Sequence, residues 1–168
     1  MRKNKKRNHQ KHPVPNHKYK DRLFRLVFNN KRDLLDLYNA LNNTCYENPN
    51  DLEVNTLEDA VYLSMKNDIS FLIGGTLNLY EHQSTYNPNM PLRGLIYLAR
   101  LYDGYVETEN INLYSSTLKK LPIPQYFVFY NGTKEQPDET ILRLTDAFES
   151  VSDNRQPCLQ CTAVMLNI

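Results

Sequence analysis

Hydrophobic spacing along the chain changes period several times, and each change predicts an element. Phe24, Val27 and Phe28 lie at i, i+3 and i+4, which predicts a helix opening at Asp21. Asn29-Asn30 interrupts it, and Asn30 has the side chain of an N-cap for a second helix. That helix places Leu34, Leu37, Tyr38 and Leu41 on one face, and Asn42-Asn43-Thr44 and Asn48-Pro49-Asn50-Asp51 follow as loop. A strand is then expected over Ala60–Met65, and two more around Gly74-Gly75. After Asn87-Pro88-Asn89, Pro91 opens a helix expected to reach Val106, with Leu92, Leu95, Ile96, Ala99 and Tyr102 as its buried stripe. Pro122 and Pro124 introduce a strand, Tyr126–Tyr130, that Asn131-Gly132 ends. Residues 141–149 fit helix or strand, and Thr162–Leu166 reads as a last strand. The order is helix, three strands, helix, strand: an α/β class.

The segment around Gly74-Gly75 carries the chemistry. A Gly-Gly pair between runs rich in β-branched and aromatic residues marks a two-residue hairpin, whose favoured turn needs φ > 0 at both central positions. Ile73 then faces Thr76, and counting outward sets Asp68 opposite Glu81 and Lys66 opposite Gln83. Ile69, Phe71, Ile73 and Tyr80 fall on one face, and Leu72, Leu77 and Leu79 on the other, so the sheet should be covered on both sides. The two carboxylates share the second face. Facing Cβ atoms lie about 5 Å apart, where two carboxylates repel by roughly 3 kcal/mol at an effective dielectric of about 20. A divalent cation turns that repulsion into a ligand set, since Mg²⁺ is typically held by one or two carboxylates plus substrate phosphates. On that reading, removing either carboxylate leaves the metal-free fold unharmed or steadier. The competing reading sets both acids at a solvated sheet margin.

Composition narrows the setting. With 168 residues, 40% hydrophobic and 23% charged, the chain suits one domain with a real core. No apolar run approaches the roughly 18 residues that span a bilayer, and no apolar segment follows the basic start as in a secretory signal, so a cytoplasmic protein without membrane contact is expected. The net charge of +1 hides an asymmetry. Residues 1–20 hold eight Lys/Arg and no acids, leaving 12 bases against 19 acids in the remainder, a net of −7. A disordered basic arm over 1–20 and an acidic domain over 21–168 follow, the arm suited to phosphates and the body to metal. Cys158-Leu-Gln-Cys161 has the spacing of half a zinc site, with Cys45 and the arm histidines as the remaining candidates.

Asp68…Glu81-His82-Gln83 resembles the PD-(D/E)xK nuclease signature. More closely, Asn67–Leu72, Leu79–Ser84 and Asn89–Arg93, with Asp21-x-x-Phe24-Arg25-x-x-Phe28, resemble the recombination-promoting nuclease/putative transposase family over roughly residues 20–168. The resemblance implies a restriction-endonuclease-like fold, a central mixed sheet flanked by helices, and a metal-dependent DNA endonuclease linked to recombination or mobile elements. Two departures stand out. Gln83 occupies the Lys position, as the family commonly shows, and family members usually continue past the strand that ends here, which implies a truncated copy or fragment. The alternative is a catalytically inactive remnant that binds DNA or oligomerises.

The site implied is Mg²⁺, with Ca²⁺ or Mn²⁺ as substitutes, held by Asp68, Glu81 and the carbonyl of His82. The ion lowers the pKa of a bound water and stabilises charge on the scissile phosphate. Alternation turns the His82 ring to the face opposite Glu81. Gln83 hydrogen-bonds the attacking water, or Lys66 across the hairpin orients or deprotonates it. Glu58, Asp59 and Asp21 are further acids. Arg93 and Tyr97, four apart on one helix face, are expected over the motif strands, with Arg93 either towards a phosphate oxygen of the DNA or in a surface salt bridge. A homo-oligomer is a further expectation.

Overall fold

The computed structural model describes residues 30–55, 68–149 and 156–168. The basic arm, the helix expected from Asp21, the strand expected over Ala60–Met65, and Lys66, Glu58 and Asp59 lie outside the described residues.

Helix α1 spans Lys31–Asn42 and begins where the sequence supplies a cap: the Asn30 side chain accepts from the Arg32 N–H at 2.9 Å. It ends at Asn43, which takes the left-handed conformation that closes many helices. Six strands follow around a second helix: β1 Glu53–Val54, β2 Ile69–Ile73, β3 Thr76–Gln83, α2 Met90–Thr108, β4 Ile123–Tyr130, β5 Glu139–Arg143 and β6 Thr162–Asn167. They form one mixed sheet in the order β1-β2-β3-β4-β6-β5. β1, β2 and β3 pair antiparallel, β4 runs parallel to β3, and β6 runs parallel to β4 while pairing antiparallel with β5. Helix α2 is thus the crossover that parallel β3 and β4 require. Among the described residues no helix is long and apolar enough to cross a membrane.

The hairpin has the expected register. Gly74 and Gly75 have φ of 54° and 79°, and Ile73 pairs with Thr76. Alternation then sorts the side chains into two cores. Ile69, Phe71, Ile73, Tyr80 and Phe129 pack with Leu34, Leu35 and Tyr38 of α1. Leu77, Leu79, Tyr126, Val128, Ala163 and Met165 pack with Met90, Tyr97, Leu98 and Leu101 of α2. The sheet is covered on both faces, as its apolar character on both sides requires.

One expectation changes, and two stretches without a firm assignment take form. The stripe of α2 is Met90, Pro91, Gly94, Tyr97, Leu98 and Leu101, while Leu92 and Ala99 are exposed and Leu95, Ile96 and Tyr102 only half-buried. The cause is Gly94, where a Cβ would overlap the Tyr126 ring. The Tyr126 ring seats against the helix backbone at Gly94, which turns that face to the sheet and the larger aliphatics away from it. The strand pairing with β2 on its outer side is Glu53–Val54, a segment with too little apolar character to signal itself. The ambiguous stretch resolves into β5 and a 3-10 turn over Leu144–Ala147.

Candidate active site

Asp68 stands one residue before β2, one step beyond the last pair, Ile69 with Tyr80, and so beside Glu81. The two residues clasp one another through the backbone. The Asp68 N–H donates to Glu81 Oε1 at 3.0 Å, and the His82 N–H donates to Asp68 Oδ2 at 2.8 Å. Hydrogen bonds from amides to ionised carboxylates are stronger than neutral ones, so both side chains are fixed at the end of the hairpin. Glu81 sits on the α2 face with Leu77 and Leu79, and it is buried at 1% exposure.

Arg93, in the first turns of α2, reaches down to this carboxylate. Its Nη2 group lies 2.9 Å from Glu81 Oε2 and 3.2 Å from the Tyr97 hydroxyl, and the guanidinium stands 5.7 Å from the centre of the Tyr97 ring. Burial works to lower the Arg93 pKa. The hydrogen bond with Tyr97 and the charge of Glu81 outweigh it and hold the value above the ordinary one. Of the two sequence readings of Arg93, a phosphate contact or a salt bridge, the structure shows the ion pair, with the Nη2 group facing Glu81 and Tyr97. The expectation that Glu81 is dispensable to the metal-free fold changes accordingly. With Arg93 opposite, truncating Glu81 breaks a half-buried ion pair rather than relieving a like-charge one.

The remaining candidates fall around this corner. Gln83 shares the face of Glu81, half-buried at the end of β3, where its carbonyl accepts from the Asn131 N–H at 3.0 Å. The His82 side chain alternates to the α1 face and is buried there, while its backbone N–H touches Asp68. Sequence reasoning missed Tyr126. It lies on β4 opposite Leu79, under Gly94, and its phenol is buried with no hydrogen-bond partner among the described residues. Burial and the nearby Glu81 charge push its pKa far up, against a smaller opposing pull from Arg93. The parallel β3–β4 register sets Tyr126 on this face, and a parallel register cannot be counted from a turn. Among the described residues no group of three or more His, Cys, Asp or Glu gathers, and Cys158 and Cys161 are free thiols.

No family model, curated protein or solved structure matches the chain. The chemistry of this corner is therefore read from its own residues. Two adjacent carboxylates and the His82 peptide meet the minimum protein share of a Mg²⁺ site, since that ion keeps several waters and takes further oxygens from a phosphate.

Proposed function

We propose that this chain is a metal-dependent DNA endonuclease with a restriction-endonuclease-like core. One observation carries the reading: Asp68 and Glu81 meet at the open end of an antiparallel hairpin, and a helix leads from it to a strand parallel with the second arm. That is the setting in which the resembled nucleases hold their signature. In this reading Asp68, Glu81 and the His82 carbonyl would hold a divalent ion, which would activate the attacking water and stabilise charge at the phosphate.

The chain's own groups then have distinct tasks. Amide donation fixes the Asp68 carboxylate, and Arg93 fixes that of Glu81, so neither must reorganise when substrate arrives. Arg93 is a positioning residue, with Tyr97 steadying its guanidinium. Gln83, on the same face, hydrogen-bonds the attacking water. The burial of Glu81 and its engagement by Arg93 also suit the second reading, a non-catalytic remnant in which the ion pair only braces α2 against the sheet.

Plasmid nicking with and without Mg²⁺ separates the two. Wild type is expected to nick only with the ion, and Asp68→Ala to lose about 10²-fold or more, the scale for removing part of a metal's charge stabilisation. Wild-type protein that folds and binds DNA but leaves it intact in Mg²⁺ and Mn²⁺ would establish the remnant. Equal nicking by wild type and Asp68→Ala would end the nuclease assignment.

A further inference from the structure

Between the β1 edge of the sheet and the C-terminal half of α2 lies a cavity of about 170 Å³ that the chemistry above leaves unused. Its walls include Glu53, Asn55, Leu72, Arg100, Leu101 and Tyr105. The Asn55 N–H donates to the Ser70 carbonyl at 3.0 Å, which extends the β1–β2 ladder by one residue and keeps Asn55 on the face of Glu53. Arg100 follows Arg93 by seven residues, on the same side of α2 and about 10 Å further along its axis.

Two polar atoms here are buried with no hydrogen-bond partner among the described residues: Arg100 Nη1 and Asn55 Oδ1. Buried polar groups are nearly always paired. One is a donor that carries permanent charge and the other an acceptor, so one occupant satisfies both by presenting an acceptor edge beside a donor edge. Gly104 adds an independent sign. A Cβ on it would touch nothing, yet it sits inside a continuous helix and lines this cavity. A helix glycine is unfavourable without a packing reason, and here its effect is to keep the space open.

Size and charge choose the occupant. The volume exceeds the roughly 30 Å³ of a water several-fold and falls below the roughly 300 Å³ at which drug-sized sites begin, which fits one planar ring system. A bare phosphate would satisfy Arg100 but face the carboxylates of Glu53 and Glu109. Guanine offers Arg100 its O6 and N7 acceptors and turns its N1–H and N2–H donors to Asn55 and Glu53, with the side chains of Leu72, Leu101 and Tyr105 as apolar walls. Adenine presents an amino donor where guanine has O6, against the Arg100 donors.

We infer that this cavity is a guanine pocket, and, resting on the nuclease reading for the source of the base, that it selects a guanine in the bound DNA strand. The test titrates guanosine and adenosine 5′-monophosphates into the full metal-free chain by calorimetry and by ligand-observed NMR. Guanosine monophosphate is expected to bind at least about tenfold more tightly than the adenosine form, the discrimination of one bidentate base contact. Arg100→Met and Arg100→Lys should each weaken it about tenfold or more, whereas Asn55→Asp, which keeps the acceptor, retains it. Gly104→Leu fills the space at a solvent-facing helix position, so it should abolish binding while holding or raising the melting temperature. Equal binding of the two nucleotides, binding indifferent to Arg100 and Gly104, or none at 10 mM (a concentration on the order of the weakest specific contacts) would overturn the pocket. Guanine binding without Mg²⁺-dependent nicking would remove the nuclease reading alone, and nicking without guanine binding would remove the pocket alone.

Discussion

Replacing Arg93 by methionine isolates the interaction on which the site depends. Methionine keeps much of the apolar stem and removes the charge. Glu81, at 1% exposure, then keeps the bond from the Asp68 amide but loses the guanidinium 2.9 Å away. Two unit charges about 4 Å apart interact by about 4 kcal/mol at an effective dielectric of about 20. Removing one partner of a buried pair costs about 3–5 kcal/mol in practice, because the other charge remains desolvated. Glu81→Gln runs the other way. It leaves the cation, but the Arg93 side chain is 31% exposed and reaches water, and glutamine still offers an acceptor. That variant should lose only about 1–1.5 kcal/mol, the scale of weakening a charge-assisted hydrogen bond. The double variant removes both charges and should recover most of the Arg93→Met loss. Urea unfolding at pH 7 measures all three, and the single Arg93→Met loss corresponds to a fall in melting temperature on the order of 10 °C. If Arg93→Met cost under about 1 kcal/mol, or Glu81→Gln cost as much as Arg93→Met, the picture of a buried carboxylate held by its guanidinium would be wrong.

Gly94→Ala forces a methyl group into the Tyr126 ring, so it should destabilise by about 1–3 kcal/mol despite alanine's better helix propensity, as thermal or urea unfolding will record. Tyr80 and Tyr126 are both held far above their ordinary pKa of 10.0, Tyr80 by burial and then the neighbouring Tyr38, Tyr126 by burial and then the Glu81 charge. Above pH 10 the unfolded chain releases these protons while the folded chain keeps them. Stability should therefore be flat with respect to these groups below pH 10 and fall above it, by about 1.4 kcal/mol per pH unit for each phenol. Tyr80→Phe should remove one such contribution from the alkaline limb and, because the Tyr80 hydroxyl is buried without a hydrogen-bond partner among the described residues, stabilise the fold by about 1 kcal/mol at pH 7. An unaltered alkaline slope in that variant would refute the assignment. Deleting residues 1–20 removes eight cations, and each phosphate contact contributes about −0.9 to the log–log salt slope of DNA binding; an unchanged slope would show that the arm does not touch DNA.

What the sequence disclosed follows from how local each signal is. The Asn30 cap, the Asn43 stop and the Gly74-Gly75 turn each depend on a few neighbouring residues, and each appears where its residue type demands. The turn then fixes the register of β2 and β3 residue by residue, which is why Asp68 beside Glu81 was countable from the sequence. Tyr126 belongs to the same corner but reaches it through a parallel pairing after a long crossover, where no turn sets the count. Glu53–Val54 is two residues long and exposed on both sides, so neither period nor hydrophobicity marks it.

The error in the α2 stripe has a further meaning. Two helical stripes can be traced along Met90–Thr108, one through Leu92, Leu95, Ile96 and Ala99, the other through Met90, Gly94, Tyr97 and Leu101. Hydrophobicity alone favours the first, because the second contains a glycine. Packing reverses the choice. Gly94 admits the Tyr126 ring, and the same rotation carries Arg93 onto the buried Glu81 carboxylate. A rotation that buried Leu92 and Ala99 instead would unseat Gly94 from the Tyr126 ring and break the Arg93–Glu81 pair, a combined loss larger than the roughly 1.5–3 kcal/mol gained by burying one leucine. The ion pair and the glycine thus act together to set the rotation of α2, and the residues that look least suited to a buried face are the ones that determine it. The same rotation brings Arg100 and Gly104, one and two turns beyond Tyr97, to the cavity beside β1. Changing Arg93 should therefore disturb guanine binding through the helix without any contact to the base, whereas changing Arg100 should leave the stability contributed by the Glu81 pair intact.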